Sequence, residues 1–340
     1  MKTKLFLTTF AFFALLFALL LVGNLFAQFG GGRGTEQFPY LIYTKEHLKE
    51  LVDSIGTKDD ITYVNWSYRK HFKLMNDITD SVNTMIGIFQ GHFDGNRKKI
   101  IVSITQPTST GVGIFTVCTD NGIIENLIVY GRVVGEYMVG GIVGVNYGLI
   151  RGCINYASVK STSGWLGGIV CNNAISGKID NCINYATMDD ENKNCIGGIV
   201  GHNSGYVSNC MNAGTIKSGH WIGGIVGHND CEYAPTTIER CINIGTIITD
   251  NIAVGGIVGG YGDESIGKSG YIYNGVNSGL IIGKDIVGGI IGARCIGEVK
   301  NCLNTGAVKG NTKVGCIVGE NQGGTIINCH YDKQMCGGGE

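Results

Sequence analysis

Gly140-Gly141-Ile142-Val143-Gly144-Val145-Asn146 returns, with small changes, at Gly167, Gly197, Gly223, Gly255, Gly288 and Gly315. Each copy is followed by an element such as Asn181-Cys182-Ile183-Asn184, Asn209-Cys210-Met211-Asn212 or Asn301-Cys302-Leu303-Asn304. The period is about 26–34 residues, the range in which one short unit stacks on copies of itself and buries a shared core. Short apolar runs at Gly-Ile-Val and around the Cys, punctuated by glycine, read as strands with corners between them. The pattern predicts an all-β chain: a parallel β-helix, or β-solenoid, of about eight coils from Gly111 onward. The first of these is the degenerate unit from Gly113-Ile114-Phe115 to Asn126-Leu127.

Composition supports a packed β structure rather than a solvated chain. The 340 residues include 56 glycines, but these are periodic, and charged residues are only 16%. A formal net charge of −1 with no basic block gives nucleic acid no electrostatic reason to bind. Nothing in the sequence calls for a cofactor.

Six of the thirteen cysteines, Cys153, Cys182, Cys210, Cys241, Cys302 and Cys329, share one column of the repeat with Leu127 and Gly275. A column that accepts Leu is an apolar interior position, where a free Cys behaves as a small hydrophobe. Stacked strands lie about 4.8 Å apart, wider than the ~3.8 Å between Cβ atoms that a disulfide prefers. The column is therefore expected to be a structural ladder of reduced thiols. Cys171, Cys195, Cys231, Cys295, Cys316 and Cys336 lie off it and could pair; the sequence does not say which.

Lys2 and Lys4 followed by the apolar run Leu5 to Val22 read as a secretory signal peptide, residues 1–27, cleaved after Ala27. Export to the cell surface or the medium follows. A membrane would be met only through this segment, if uncleaved, or through a partner. Residues 28–39 are glycine-rich and read as a linker. Residues 40–104 read as an N-terminal capping region with one helix: Thr44 can cap it, Leu48, Leu51, Val52 and Ile55 form its apolar stripe, and Gly56 can end it. Residues 105–335 are the repeat solenoid and 336–340 a glycine-rich tail.

The Gly-Gly-Ile-Val-Gly-x-Asn and Asn-Cys-x-Asn-x-Gly unit resembles the GLUG motif repeat of exported bacterial proteins. The lead-in, Tyr40-Leu41-Ile42-Tyr43-Thr44, Leu74-Met75-Asn76-Asp77-Ile78 and Phe93-Asp94-Gly95-Asn96, is similar to the segment that often precedes those repeats. The resemblance covers roughly 40–335. It implies a β-solenoid on surface or secreted proteins, including the region ahead of the zinc domain in immunoglobulin A1-protease-type peptidases. The chain has no His-Glu-x-x-His, since His47 is followed by Leu-Lys-Glu, so peptidase activity is not implied for it. Relatives often continue beyond the last repeat, which here is followed by Gly337-Gly338-Gly339-Glu340.

Candidate binding residues come from the unequal arcs of the coils. The arcs from Asn229 to Cys241 and from Tyr261 to Gly275 are longer than that from Asn146 to Cys153, and insertions on one face of a solenoid often mark its binding face. These two loops would bring together Asp230, Glu232, Tyr233, Tyr261, Asp263 and Glu264, aromatic rings and carboxylates suited to a glycan or a host or extracellular protein. Trp165 and Trp221 share a column two coils apart and, if exposed, would form a stacking platform. Tyr156 and Tyr185 are expected to stack on each other. His202 and His228 also share a column, but with Val145, Asn172, Gly260, Ala293 and Glu320, which describes a solvent-facing position rather than a metal site. A single Gly259-Gly260-Tyr261-Gly262-Asp263 does not make a calcium roll, which needs tandem copies. The expected function is noncatalytic, a stalk or adhesin-like module. The alternative is a glycan-active β-helix enzyme, or an accessory domain of a larger surface protein, and it would show a pair of carboxylates in a groove.

Overall fold

The chain is seen in a computed structural model that describes residues 29–56, 60–189, 195–217, 219–232, 234–262 and 270–336. Residues 1–28, which hold the segment read as a signal peptide, and the tail residues 337–340 lie outside them.

The repeated Val-Gly segments pair with their own copies one coil away. Val143–Asn146 pairs in parallel with Phe115–Cys118 on one side and Val170–Asn173 on the other, and the same shift of one coil generates parallel sheets of eleven, seven, eight, eleven and five strands. The fold is thus an all-β parallel solenoid. The coils read from Gly111 onward are present, and stacking continues to His330–Tyr331, which pairs with Leu303–Asn304, and to a bridge between Val308 and Cys336. Stacking also begins before them, because Tyr40–Ile42, His71–Leu74 and His92–Asp94 are the first three strands of an eleven-stranded sheet.

Two backbone constraints explain the repeat's spelling. A Cβ at Gly167 would stand 1.7 Å from the carbonyl oxygen of Val170, so the strand doubles back too tightly for any side chain there. The residue before the Cys column is left-handed in coil after coil, with φ of 55° at Asn126, 52° at Asn181 and Asn209, and 54° at Asn301. Asn tolerates that region better than most residues, which accounts for the first Asn of Asn-Cys-x-Asn.

Inside, Ile and Val side chains stack in columns beside Leu127, Cys153, Cys182, Cys210, Cys241 and Cys302, all buried; Cys329, near the last coil, is half-buried, and Gly275 leaves the column without a side chain. Cys153, Cys182, Cys210, Cys241, Cys302 and Cys329 carry free thiols, which lie 3.1–3.5 Å from the carbonyl oxygen two residues earlier. Burial pushes Cys153 and Cys210 well above the usual thiol range and Cys302 up to about 12, so these sulfurs stay protonated. Off the column, Cys316 and Cys336 form a disulfide, whereas Cys171, Cys195, Cys231 and Cys295 are free and buried.

The second Asn of the motif is inside as well. Asn155, Asn184, Asn212, Asn243, Asn277 and Asn304 are fully buried, and each Nδ2 donates to Oδ1 of the next, at 2.7–3.2 Å. A second ladder joins Asn146, Asn173, Asn203 and Asn229 at 2.8 Å per step. Every step satisfies two buried polar groups that would otherwise be costly.

At the N-terminal end, helix α1, Lys45–Ile55, begins at Thr44, whose Oγ1 accepts from the His47 amide, and stops at Gly56. Leu48, Leu51 and Ile55 are buried against Ile78–Val82 and Ile86–Phe89, the first strands of their two sheets. A bare sheet edge there would recruit other chains. The glycine-rich stretch differs from the linker expected for it. Phe29 is buried against Tyr40, Trp66 and Phe72, and the Gly30 amide donates to Leu41 O at 2.8 Å, which ties the segment down.

Candidate functional site

His202 and His228 sit at the same register in adjacent strands, between Asn172 and Gly260. Along the neighbouring sheet, Trp165, Cys195 and Trp221 precede Leu166, Ile196 and Ile222, which pair in order. Both indoles lean forward by one coil. Trp165 stacks on His202 with ring centroids 4.5 Å apart and planes 5° from parallel. Trp221, at a left-handed φ of 51°, lies over Gly260, where a Cβ would come within 2.3 Å of its ring. Gly260 is therefore small to make room for Trp221. The column is not simply tolerant, and neither histidine is solvent-facing: both are largely covered, with the His202 side chain only 14% exposed.

The result is a continuous series of rings along the solenoid. Tyr137 lies 5.2 Å from Trp165, His202 5.1 Å from His228, and His228 meets Trp221 edge-on at 5.2 Å. The Arg294 guanidinium lies 5.2 Å from the Trp221 ring centroid. Between the two tryptophans stands the short side chain of Cys195, and with His202, His220 and His228 it lines a cleft of about 480 Å³. On its other side His202 borders a second cleft, of about 410 Å³, lined by Asp120, Tyr147, Asn172, Ile175, Ser204 and Asp230 among others. His202 is common to both linings and stands where the two clefts adjoin.

Burial holds both imidazoles in the neutral form. His228 is pulled down to about 4 by desolvation, with the neighbouring His202 adding to the shift and Asp230 opposing it. His202 is lowered by the same burial although Asp230 Oδ2 is 3.8 Å from its Nε2. Near neutral pH the two clefts thus present indole edges, the uncharged imidazoles of His202 and His228, amide and hydroxyl groups, and two carboxylates. Among the described residues no group of three or more His, Cys, Asp or Glu is placed to hold a metal ion.

The loops named from sequence fare differently. Tyr233, Asp263 and Glu264 lie outside the described residues. Tyr261 is fully buried, which removes it from any ligand-binding set. It pairs with Asn229 and takes the place an asparagine would have in the ladder, with its ring packed so closely on Gly270 that a Cβ there would be 2.0 Å away. Trp165 and Trp221 do line a common cleft, but as members of the ring series rather than as bare platforms. Asp230 belongs with His202 and Ser204. Asp120, Ser204 and the histidines were not singled out as binding residues, because the lean of Trp165 onto His202 and the reach of Asp120 to Ser176, two coils on, are displacements along the axis that spacing does not encode.

Two other polar or aromatic clusters are structural. His92 Nε2 lies 2.6 Å from Glu125 Oε1, and Arg151 bonds the other oxygen of that carboxylate. Burial alone would raise Glu125, but these partners hold it below the usual carboxylate range. Tyr130, Tyr156 and Tyr185 form an exposed stack with centroids 4.6 and 4.8 Å apart, so each ring face that could receive a ligand between them is already occupied.

No family model matches the chain. A protein of Evansella cellulosilytica, provisionally named as a Gly-rich membrane protein, is 30% identical over 139 residues, which are 36% of this chain and 15% of that protein's length. The crystal structure of a chain from Bacteroides ovatus, provisionally assigned as an immunoglobulin A1 protease, superposes with a TM-score of 0.55 at 19% identity, over 75% of this chain and 80% of that one. That likeness is one of fold.

Proposed function

We propose that the chain is a noncatalytic, exported solenoid of the bacterial cell surface or its surroundings, a stiff module that holds binding groups away from the surface or against a partner. The observation that carries this reading is the pair of asparagine ladders beside the thiol column: they bond each coil to the next from the inside and leave the outward positions free to vary. Export rests on the signal-like segment 1–27, and the GLUG-like spelling of the repeat and the membrane-protein name of the Evansella match are in keeping with a surface setting. The enzyme alternative is less well supported. Asp120 and Asp230, the carboxylates of the cleft, each already have a partner within the chain: Asp120 Oδ1 accepts from Ser176 Oγ, and Asp230 Oδ1 accepts from the Glu232 amide while its Oδ2 faces His202.

The test incubates the purified chain with immobilised glycans and extracellular-matrix proteins, and in parallel with chromogenic glycosides and peptide substrates. Retention on one class of surface without product is expected. Turnover that is lost in an Asp230→Asn variant would replace the display reading with the enzymatic one.

A further inference from the structure

We infer that the cleft between Tyr147 and Asp230, bordered by His202, is a binding site for an uncharged oligosaccharide, laid along the coils with its sugar faces against Tyr147 and Ile175 and its hydroxyls toward Asp120, Asp230 and Ser204. The inference rests on the display reading above and names its ligand.

Length is the first argument. Tyr147, Ala174, Ser204 and Asp230 follow one another in successive coils at the rim, so the rim spans three strand spacings, about 14 Å. That suits a short chain of sugar rings better than a single small molecule.

Chemistry is the second. A pyranose presents C–H faces and a ring of hydroxyls, and needs apolar surface alternating with groups that accept or donate within a few ångströms. The cleft supplies both: the half-buried Tyr147 and the exposed Ile175, beside Asn172, Ser204, Ser176 and two carboxylates. Exposed aromatic stacking occurs elsewhere on the molecule, at Tyr130, Tyr156 and Tyr185, but those rings cover one another and have no polar cleft beside them.

Charge is the third argument and selects the kind of sugar. Asp120 and Asp230 are the acidic groups of the lining, His202 and His228 are held neutral by burial, and Arg294 is engaged with Trp221 rather than lining either cleft. A uronate, a sialic acid or a sulfated sugar would bring its negative charge to two carboxylates with no cation of the lining to offset it. An uncharged glycan loses nothing by that arrangement and gains two strong acceptors for its hydroxyls.

The experiment is calorimetric titration of the full chain with cellotetraose, mannotetraose, chitotetraose and trigalacturonate, each at neutral pH. Three variants accompany it: Ser204→Tyr, Asp230→Asn and Tyr185→Ala. Ser204→Tyr fills the groove with a residue its own column already carries at Tyr147, so the fold should keep its thermal midpoint. At least one neutral tetrasaccharide should bind, at least tenfold more tightly than trigalacturonate. Ser204→Tyr should weaken that binding at least tenfold and Asp230→Asn at least fivefold, while Tyr185→Ala leaves it unchanged. Binding that survives Ser204→Tyr, or a preference for trigalacturonate, overturns the assignment. If no neutral tetrasaccharide binds while the chain still adheres to a matrix protein, the groove assignment falls and the display reading stands. If neither occurs, both fall.

Discussion

The lead-in coils and the repeat coils fill the same cross-section by different means. In the column that holds Asn146, Asn173, Asn203 and Asn229, the two preceding coils place Phe89 and Cys118. In the column that becomes Asn155, Asn184 and Asn212, the earlier residues are Ile100 and Val129. Around Phe89 the lead-in packs Phe72, Phe93 and Phe115 with centroids 5.2–6.4 Å apart, and Trp66 carries Lys70 over its ring at 3.4 Å. Beyond Phe115, the described residues of the repeats place no such ring inside until Tyr261. The difference separates two sources of order: a few large side chains that fit only one another, against many small equal steps in which each coil supports its neighbours.

That contrast can be broken in stages. Cys210→Asp would put a carboxylate in the middle of the thiol column with no cation beside it, and should cost on the order of 5 kcal/mol; a thermal melt followed by circular dichroism should show no cooperative transition, and a normal one would refute the interior register of the column. Phe93→Ala should cost about 3–4 kcal/mol through the cavity it leaves. Because each coil touches only its neighbours, hydrogen exchange should report the loss in residues 71–125 and leave the coils beyond Gly255 protected. Uniform loss across both regions would merge them into one cooperative block.

Acid should act on the coils that hold His228, and through His71 and Glu125 on the lead-in as well. His228 is lowered by burial, so above about pH 6.5 neither the folded nor the unfolded chain carries its proton and its stability is intact. As pH falls from there toward 4 the unfolded chain takes up a proton that the folded chain refuses, and roughly 3 kcal/mol is lost. His202 contributes in the same direction. Denaturant melts at pH 7 and pH 4.5 should differ accordingly in the parent and much less in His228→Asn; an equal difference in both would place the acid sensitivity elsewhere. The smallest effect belongs to one rung. Asn212→Ala removes the bonds to Asn184 and Asn243 and leaves their amides part-satisfied, for about 2 kcal/mol.

Much of the fold was legible because the periodicity is also the physics. Gly-Gly before Ile-Val marks a backbone too close for a Cβ, Asn before Cys marks a left-handed corner, and Thr44 with Gly56 brackets a helix. The stacking of Tyr156 on Tyr185 followed from their shared column, and Tyr130 joins it. What spacing could not show was direction. Tyr261 looked like a loop residue because it interrupts a run of asparagines, whereas it turns inward at that same position. The ring series escaped for a related reason, since Trp165 and Trp221 reach residues of the following coil, a displacement along the axis that no count within one unit reveals. Phe29 was hidden by its glycine neighbours, which read as slack chain although they let the backbone fold over Tyr40.

The ladders have a consequence for how the chain finds its structure. An inner wall that is nearly the same in every coil cannot tell one coil from the next, so a strand that docks one unit early still finds an asparagine, a valine and a thiol waiting for it. Such a slipped chain is a trap of almost native energy. The exceptions then act as addresses. Tyr261 fits only over Gly270, Trp221 only over Gly260, and the column at Gly275 has no side chain to offer. Irregularities that look like decay of the repeat are the marks by which the chain counts.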